Sequence, residues 1–363
     1  MGTLYEAIEE CGDLLLILRP RTKPLAWQVE TTGTEPQTPQ NQVLESTKNP
    51  AGDVNDEESH GDDAEIQPEH KFLVSSHILR HASQVFRKDL DPSGPWRQPE
   101  IQPDGLRHKN LDGFDPKALK HVLDLIHFRN DRVPDKLEME ELAEVAVIVD
   151  YFQCHEAMRF VVKSWIREDR IKEVIDEAQP GRPLFLWLLI AYVFGIDAIT
   201  NAAAKTIIEN NRGPFDSMEL PFSESITSRM NNARETIIQR LLENIYQFKD
   251  TLSTDKVSEC NPFCEPVCEI LALGGLQRKL CSTGLYPRPE KPFYGVCVSD
   301  VNSMIETYLK LMVSTARPCS YCGVRKLQES LDSIEHMMDY PEFGKYGGYA
   351  DDSRKMHTLK RII

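Results

Sequence analysis

Two sets of side chains in this sequence have the types and spacing to do chemistry. His77 and His81 stand four residues apart, the separation at which one helix face can offer two imidazoles to a zinc ion. Nearer the C-terminus, Cys260, Cys264 and Cys268 recur every fourth residue, and Cys319 and Cys322 have the C-x-x-C spacing of half a zinc site. A structural zinc would take Cys319 and Cys322 plus two of Cys260, Cys264, Cys268 and Cys281. Each set also has a plainer reading. No glutamate is placed between the histidines as in H-E-x-x-H, and Arg80 lies between them, so the pair is expected on a solvated or partly buried helix face. His121 and His127, which flank an apolar stripe, are read the same way. Pro262 and Pro266 argue against a continuous helix through the cysteine trio, there is no second C-x-x-C, and the spacing is not that of an iron–sulfur signature. Small structural thiols are the preferred reading, with a structural zinc and redox chemistry as alternatives. No catalytic residue, cofactor-binding residue or metal ligand is assigned.

Other catalytic patterns are missing. The sequence holds no G-x-S-x-G elbow, no G-x-x-x-x-G-K-[ST] phosphate loop and no G-x-G-x-x-G after a strand. Gly274 and Gly275 fall in a helical context and mark a bend or a close helix contact. Acid pairs such as Glu140 and Glu141 fall on solvated helix faces. The chain is read as a non-enzyme. An enzyme of unrecognised type would show itself by polar groups converging in a deep pocket.

The elements around these residues follow from patterning. Residues 13–18 (DLLLIL) form an unbroken apolar run, as in a fully buried strand. Residues 19–69 are rich in Pro, Thr, Gln and Asn, and residues 52–69 (GDVNDEESHGDDAEIQPE) hold eight acids and no Lys or Arg. Such a stretch cannot bury enough apolar surface to offset its ordering entropy, so it is expected to be a disordered acidic insertion looping between two neighbouring strands. The second strand is KFLVSS. Ser75 or Ser76 then caps a helix whose stripe is Ile78, Leu79, Ala82, Val85 and Phe86. A turn-rich stretch follows. Asp115-Pro116 opens the next helix, striped by Leu119, Val122, Leu123 and Ile126. Val133-Pro134 breaks the pattern before an antiparallel helix pair ending near Ile166. The apolar run at residues 184–194 is half the length of a membrane span and reads as a buried helix.

Composition bounds the partners. With 363 residues, two domains are expected, and a net charge of −15 repels phosphate backbones and anionic membranes. No nucleic-acid and no membrane partner is expected. Acids stand where a signal peptide carries basic residues, so the expectation is an intracellular chain, cytoplasmic or nuclear, with its nine cysteines reduced.

The order strand, strand, helix, helix, helix pair resembles a BTB/POZ domain. The most specific match is F-x-V-S-S-x-x-L-x-x-A-S-x-V-F, here Phe72, Val74, Ser75, Ser76, Leu79, Ala82, Ser83, Val85 and Phe86. The resemblance is closer still to BTB-like proteins abundant in filamentous fungi, which similarly carry an acidic insertion, a segment like LIHFRN, a VP break, a segment like Asp150, Tyr151, Phe152 and Cys154, and a C-terminal region resembling ECNPFCEPVCEILALGGLQRKLCSTGLYPRPEKPFYGVCVSDV, residues 259–301 here. The resemblance implies an α+β fold, a small sheet with surrounding helices, followed by an all-α C-terminal region. The expected divisions are a first strand in 1–18, the insertion at 19–69, the rest of the domain at 70–166, a helical region at 182–345 and a tail at 346–363. It also implies an adaptor or scaffold that binds other proteins, among them another BTB protein or a cullin whose ubiquitin ligase it would serve. The contacts are expected around the helix pair, the loop at residues 129–137 and the helix starting at His77. Only eleven residues precede Gly12, which favours a monomer or weak homo-oligomer over a strand-swapped dimer.

Overall fold

The two apolar runs that flank the acidic stretch lie side by side. In the computed structural model, which describes residues 4–26, 68–91, 99–254 and 267–315, β2 (Leu14–Pro20) pairs antiparallel with β3 (His70–Val74), placing Leu14 opposite Val74 and Leu16 opposite Phe72. The expected disorder of the insertion falls mostly on residues 27–67, outside the described ones. Its root is anchored: Leu25 and Ala26 are buried, and the Arg182 guanidinium donates to the Leu25 carbonyl at 3.0 Å.

Two further strands complete the sheet, in the order β1-β3-β2-β4. β1 (Leu4–Ala7) runs parallel to β3, so residues 1–18 hold two strands rather than one, and the segment before Gly12 is not helical where described. β4 (Arg107–Phe114) runs parallel to β2, between the turn-rich residues 91–100 and Asp115, where the sequence reading assigns no element. Both were illegible for one reason. They are edge strands, so β1 is mostly exposed and β4 buries only Leu111 and Phe114, and an edge strand needs no apolar run. β2, hydrogen-bonded on both sides, has every residue from Leu14 to Leu16 and Leu18 buried, which is why its sequence is continuous rather than alternating.

The chain turns from β1 into β2 at Gly12. A Cβ on that residue would lie 2.7 Å from the Val74 carbonyl oxygen and 2.8 Å from Leu73, so only glycine lets the turn pass beneath the end of β3. Asp13 follows. Its carboxylate accepts from the backbone N–H of Ser76 at 2.7 Å and from the Ser76 hydroxyl at 2.6 Å, joining the start of β2 to the first helix.

The helix read as continuous from residue 77 is two helices, α1 (Ser76–Ala82) and α2 (Gln84–Asp89). Ser83 breaks it. Its N–H closes α1, and its hydroxyl accepts from Phe86 N–H at 3.1 Å to open α2. That hydroxyl also donates to the Phe152 carbonyl at 2.5 Å, so a small residue in the motif is both a double cap and a tie to the helix pair. Phe72, Val74, Leu79 and Phe86 are buried beside it, with the Phe86 and Phe152 rings stacked at 4.6 Å.

α3 (Pro116–Ile126) is capped by Asp115, whose carboxylate accepts from Ala118 N–H at 2.7 Å. α4 (Met139–Phe152) and α5 (His155–Trp165) form the expected pair, turned by Gln153 in a left-handed conformation. α6 (Glu168–Asp176) precedes α7 (Arg182–Phe194), the apolar helix, which packs against α4 and so buries most of its circumference. α8 (Asp197–Asn210), α9 (Glu224–Ser253), α10 (Val267–Ser282) and α11 (Val298–Thr315) pack on one another and join the same continuous core. The protein is thus mixed α/β, a small four-stranded sheet with helices, and mostly helical toward the C-terminus. No described helix is long and apolar enough to cross a membrane.

The C-terminal helices are tied by a buried cation. Arg234 on α9 is 2% exposed, and its guanidinium donates to the carbonyls of Asn211, Pro292, Phe293 and Val296 at 2.6 to 2.9 Å. Four main-chain acceptors, rather than a carboxylate, satisfy it. Close packing of α10 on α11 passes through Gly275, against which Tyr308 rests at 3.7 Å from where a Cβ would stand.

Candidate functional site

His77 and His81 are exposed on α1, their rings edge-on at 4.7 Å. Among the described residues no group of three His, Cys, Asp or Glu is placed to hold a metal ion. Cys260, Cys264, Cys319 and Cys322 lie outside the described residues, so the zinc alternative is not met by any geometry here. Of the described thiols, Cys11 and Cys281 are exposed and Cys154 and Cys297 buried. Burial pushes the Cys154 thiol up to about 12, which leaves it an inert packing group.

His121 and His127 depart from the surface reading. Both are buried, at 6% and 4% exposure, and burial holds each imidazole below its ordinary value. His127 is engaged at both ring nitrogens, Nε2 accepting from the N–H of Ser75 while Nδ1 faces the Leu123 carbonyl. Spacing alone could not separate this from a solvated histidine, because the Ser75 N–H that Nε2 accepts lies 52 residues back along the chain.

The loop nominated at residues 129–137 is rigidly held. The indole N–H of Trp165 donates to the Pro134 carbonyl at 2.9 Å, and Arg170 donates to the carbonyls of Leu137 at 2.8 Å and Trp165 at 3.2 Å. The same guanidinium stacks over the Trp187 ring at 5.0 Å. The loop, the end of α5, α6 and the start of α7 thereby enclose an open cleft of about 910 Å³. Trp187, Leu184, Val174 and Pro183 supply its apolar lining, and Asp135, Glu173 and Glu177 supply charge. The one hydroxyl in the lining, Ser164, donates back to the Val161 carbonyl at 2.7 Å, so it is not set against a base. The cleft can hold a chain segment or a small amphipathic molecule by contact and charge. Sequence reasoning missed Trp165, Arg170 and Trp187. The loop carbonyls that Trp165 and Arg170 hold lie 31 and 33 residues back along the chain, an interval no helical period connects; the Val133-Pro134 break was the available signal.

Around this half of the molecule large apolar side chains stay in water. Phe128, in a left-handed conformation just after α3, is 79% exposed, and Phe160 on α5 is 83% exposed. Residues of that size are ordinarily withdrawn from solvent, so they are the strongest candidates for contact with another protein.

A half-buried ion pair ties the root of the insertion to α4. Arg21, just past β2, pairs with Glu144 on α4, and both side chains are under 20% exposed. Burial pushes the Glu144 carboxyl up to about 7 against the pull of Arg21.

No family model matches the chain, and neither a curated protein nor a solved structure does. The geometry and charge of the surface therefore carry the functional reading.

Proposed function

We propose that the chain is a non-enzymatic protein–protein interaction module, an adaptor or scaffold of BTB/POZ type. The observation that carries the reading is the contrast within residues 70–166: Phe72, Val74, Leu79 and Phe86 of the motif are spent on packing, whereas Phe128 and Phe160 are left in water. A unit whose motif residues build a core and whose surface displays aromatics works through its docking surface. The antiparallel pairing of β2 with β3 across the acidic stretch supports the same reading, since it joins the first strand and the motif-bearing segment into one unit. A net charge of −15 fits protein partners rather than nucleic acid or anionic membrane.

The test is affinity purification of the full chain from its native cell, with Phe128→Ser and Phe160→Ser variants in parallel. Both side chains are exposed, so the variants are expected to keep the parent melting temperature within the small range typical of surface changes. Loss of specific co-purifying proteins from either variant supports the proposal; an unchanged partner set from both overturns the assigned surface. A cullin among the lost proteins would make the chain a ligase adaptor, and its absence a plain scaffold. For the isolated chain, light scattering is expected to read a mass near 41.5 kDa, and a mass near twice that would contradict the mainly monomeric state.

A further inference from the structure

The cleft beside the 129–137 loop has an unbalanced rim. Two pairs neutralise themselves: Lys136 with Glu138 at 3.4 Å and Arg167 with Asp169 at 3.8 Å. Arg170, the remaining cation of the lining, is turned inward onto two carbonyls and the Trp187 face. That leaves Asp135, Glu173 and Glu177, all exposed, with no ion pair among the described residues. Between them lies the apolar surface of Trp187, Leu184, Val174 and Ala178.

A rim of three uncompensated carboxylates around an apolar floor suits Lys or Arg side chains. Aliphatic stems suit the half-exposed Trp187, Val174 and Ala178, and the cationic heads suit the carboxylates. Bases in this acidic chain are mostly interspersed with acids. Residues 354–361 (RKMHTLKR) are different, with four Lys or Arg and no acid in eight positions, interleaved with Met356 and Leu359 and followed by Ile362 and Ile363.

From this complementarity we propose that the cleft between α6 and the start of α7 is the docking site of the chain's own basic segment at residues 354–361. The tether permits it. Thirty-eight residues separate Thr315 from Arg354, a maximum reach of roughly 125 Å, against a body roughly 50 Å across for a compact chain of this length. Individually, ion pairs at an exposed rim are weak. Tethering the segment to the same chain raises its effective concentration, so a contact too weak between separate molecules is populated within one. The occupied cleft is a self-masked surface, opened by salt or by a tighter cationic partner.

Zero-length carbodiimide coupling tests this on the full-length protein, because it joins a lysine amine to a carboxylate only where the two touch. At low salt the expected product is an amide from Lys355 or Lys360 to Asp135, Glu173 or Glu177, identified by mass spectrometry. It is expected to disappear in ~1 M salt, where screening acts over about 3 Å, and to fall several-fold in the Glu173→Gln/Glu177→Gln double variant. Coupling an equal mixture of ¹⁵N-labelled and unlabelled protein distinguishes the source: isotopically pure cross-links support the tethered contact, whereas mixed ones assign the cleft to a second copy and overturn it. Absence of the amide, or coupling spread evenly over carboxylates elsewhere, also overturns it. As an independent readout, a Lys355→Glu/Lys360→Glu variant is expected to exchange its α6 amide hydrogens several-fold faster than the parent, and unchanged exchange would contradict the proposal.

Discussion

His127 Nε2 accepts the backbone N–H of Ser75 at 3.1 Å, joining the end of α3 to the junction of β3 and α1. The bond requires a lone pair on Nε2, so the proton sits on Nδ1, which donates to the Leu123 carbonyl at 2.8 Å, and the ring is neutral. Burial favours that form, holding both His127 and His121 below the ordinary 6.5.

The pH dependence of stability follows. An imidazole whose folded value is lowered binds its proton more readily when unfolded, so its contribution is complete above about 6.5 and is lost as pH falls through the folded value. His127→Gln, which does not titrate, is expected to lose stability at pH 7.5 yet to show a flatter fall in melting temperature between pH 6.5 and 5 than the parent. A parallel fall in both proteins would refute the assignment.

Glu144 acts with the opposite sign. Its folded value of about 7 lies above the ordinary 4.5, so the folded state holds the proton more tightly and stability declines as pH rises from 4.5 to 7. Glu144→Gln is expected to remove that decline, so the difference in melting temperature, variant minus parent, grows across the window. A difference that is constant with pH counts against a raised carboxyl.

Ser83 carries three hydrogen-bonding duties while fully buried. Ser83→Ala removes the cap of α2 and leaves the Phe152 carbonyl without its donor, and is expected to cost about 1–2 kcal/mol in urea unfolding. Ser83→Thr, which keeps the hydroxyl, should recover part of it.

Gly12 has no room for a methyl group below the Val74 carbonyl. Gly12→Ala must displace main chain rather than the end of a flexible side chain, and is expected to destabilise by about 1–3 kcal/mol. A stability equal to the parent's would mean that the turn beneath β3 is free to shift.

Arg234→Met strips the donor from four carbonyls at once and is expected to cost about 3 kcal/mol, with Arg234→Lys in between. Equilibrium denaturation of the three proteins orders them; Lys and Met of equal stability would show that the multiple bonds of the guanidinium fork carry nothing.

Patterning within single segments was enough to place β2, β3, α3, the α4–α5 pair and α7, because their apolar residues recur with the period of the element that buries them. Leu14 to Leu18 read as a buried strand, and Asp115-Pro116 as a helix start, from nearest neighbours alone. The edge strands β1 and β4 left no such trace, since an edge is half solvated and Arg107 to Asn110 can be polar without penalty.

Tertiary structure alone decided the rest, for the reason that the decisive partners are remote in the chain. Whether His127 is solvated depends on Ser75, whether the loop after α3 is held in place depends on Trp165 and Arg170, and whether α1 continues past Ala82 depends on the Phe152 carbonyl. Each is a hydrogen bond between groups that only folding brings together, and a local period cannot encode it.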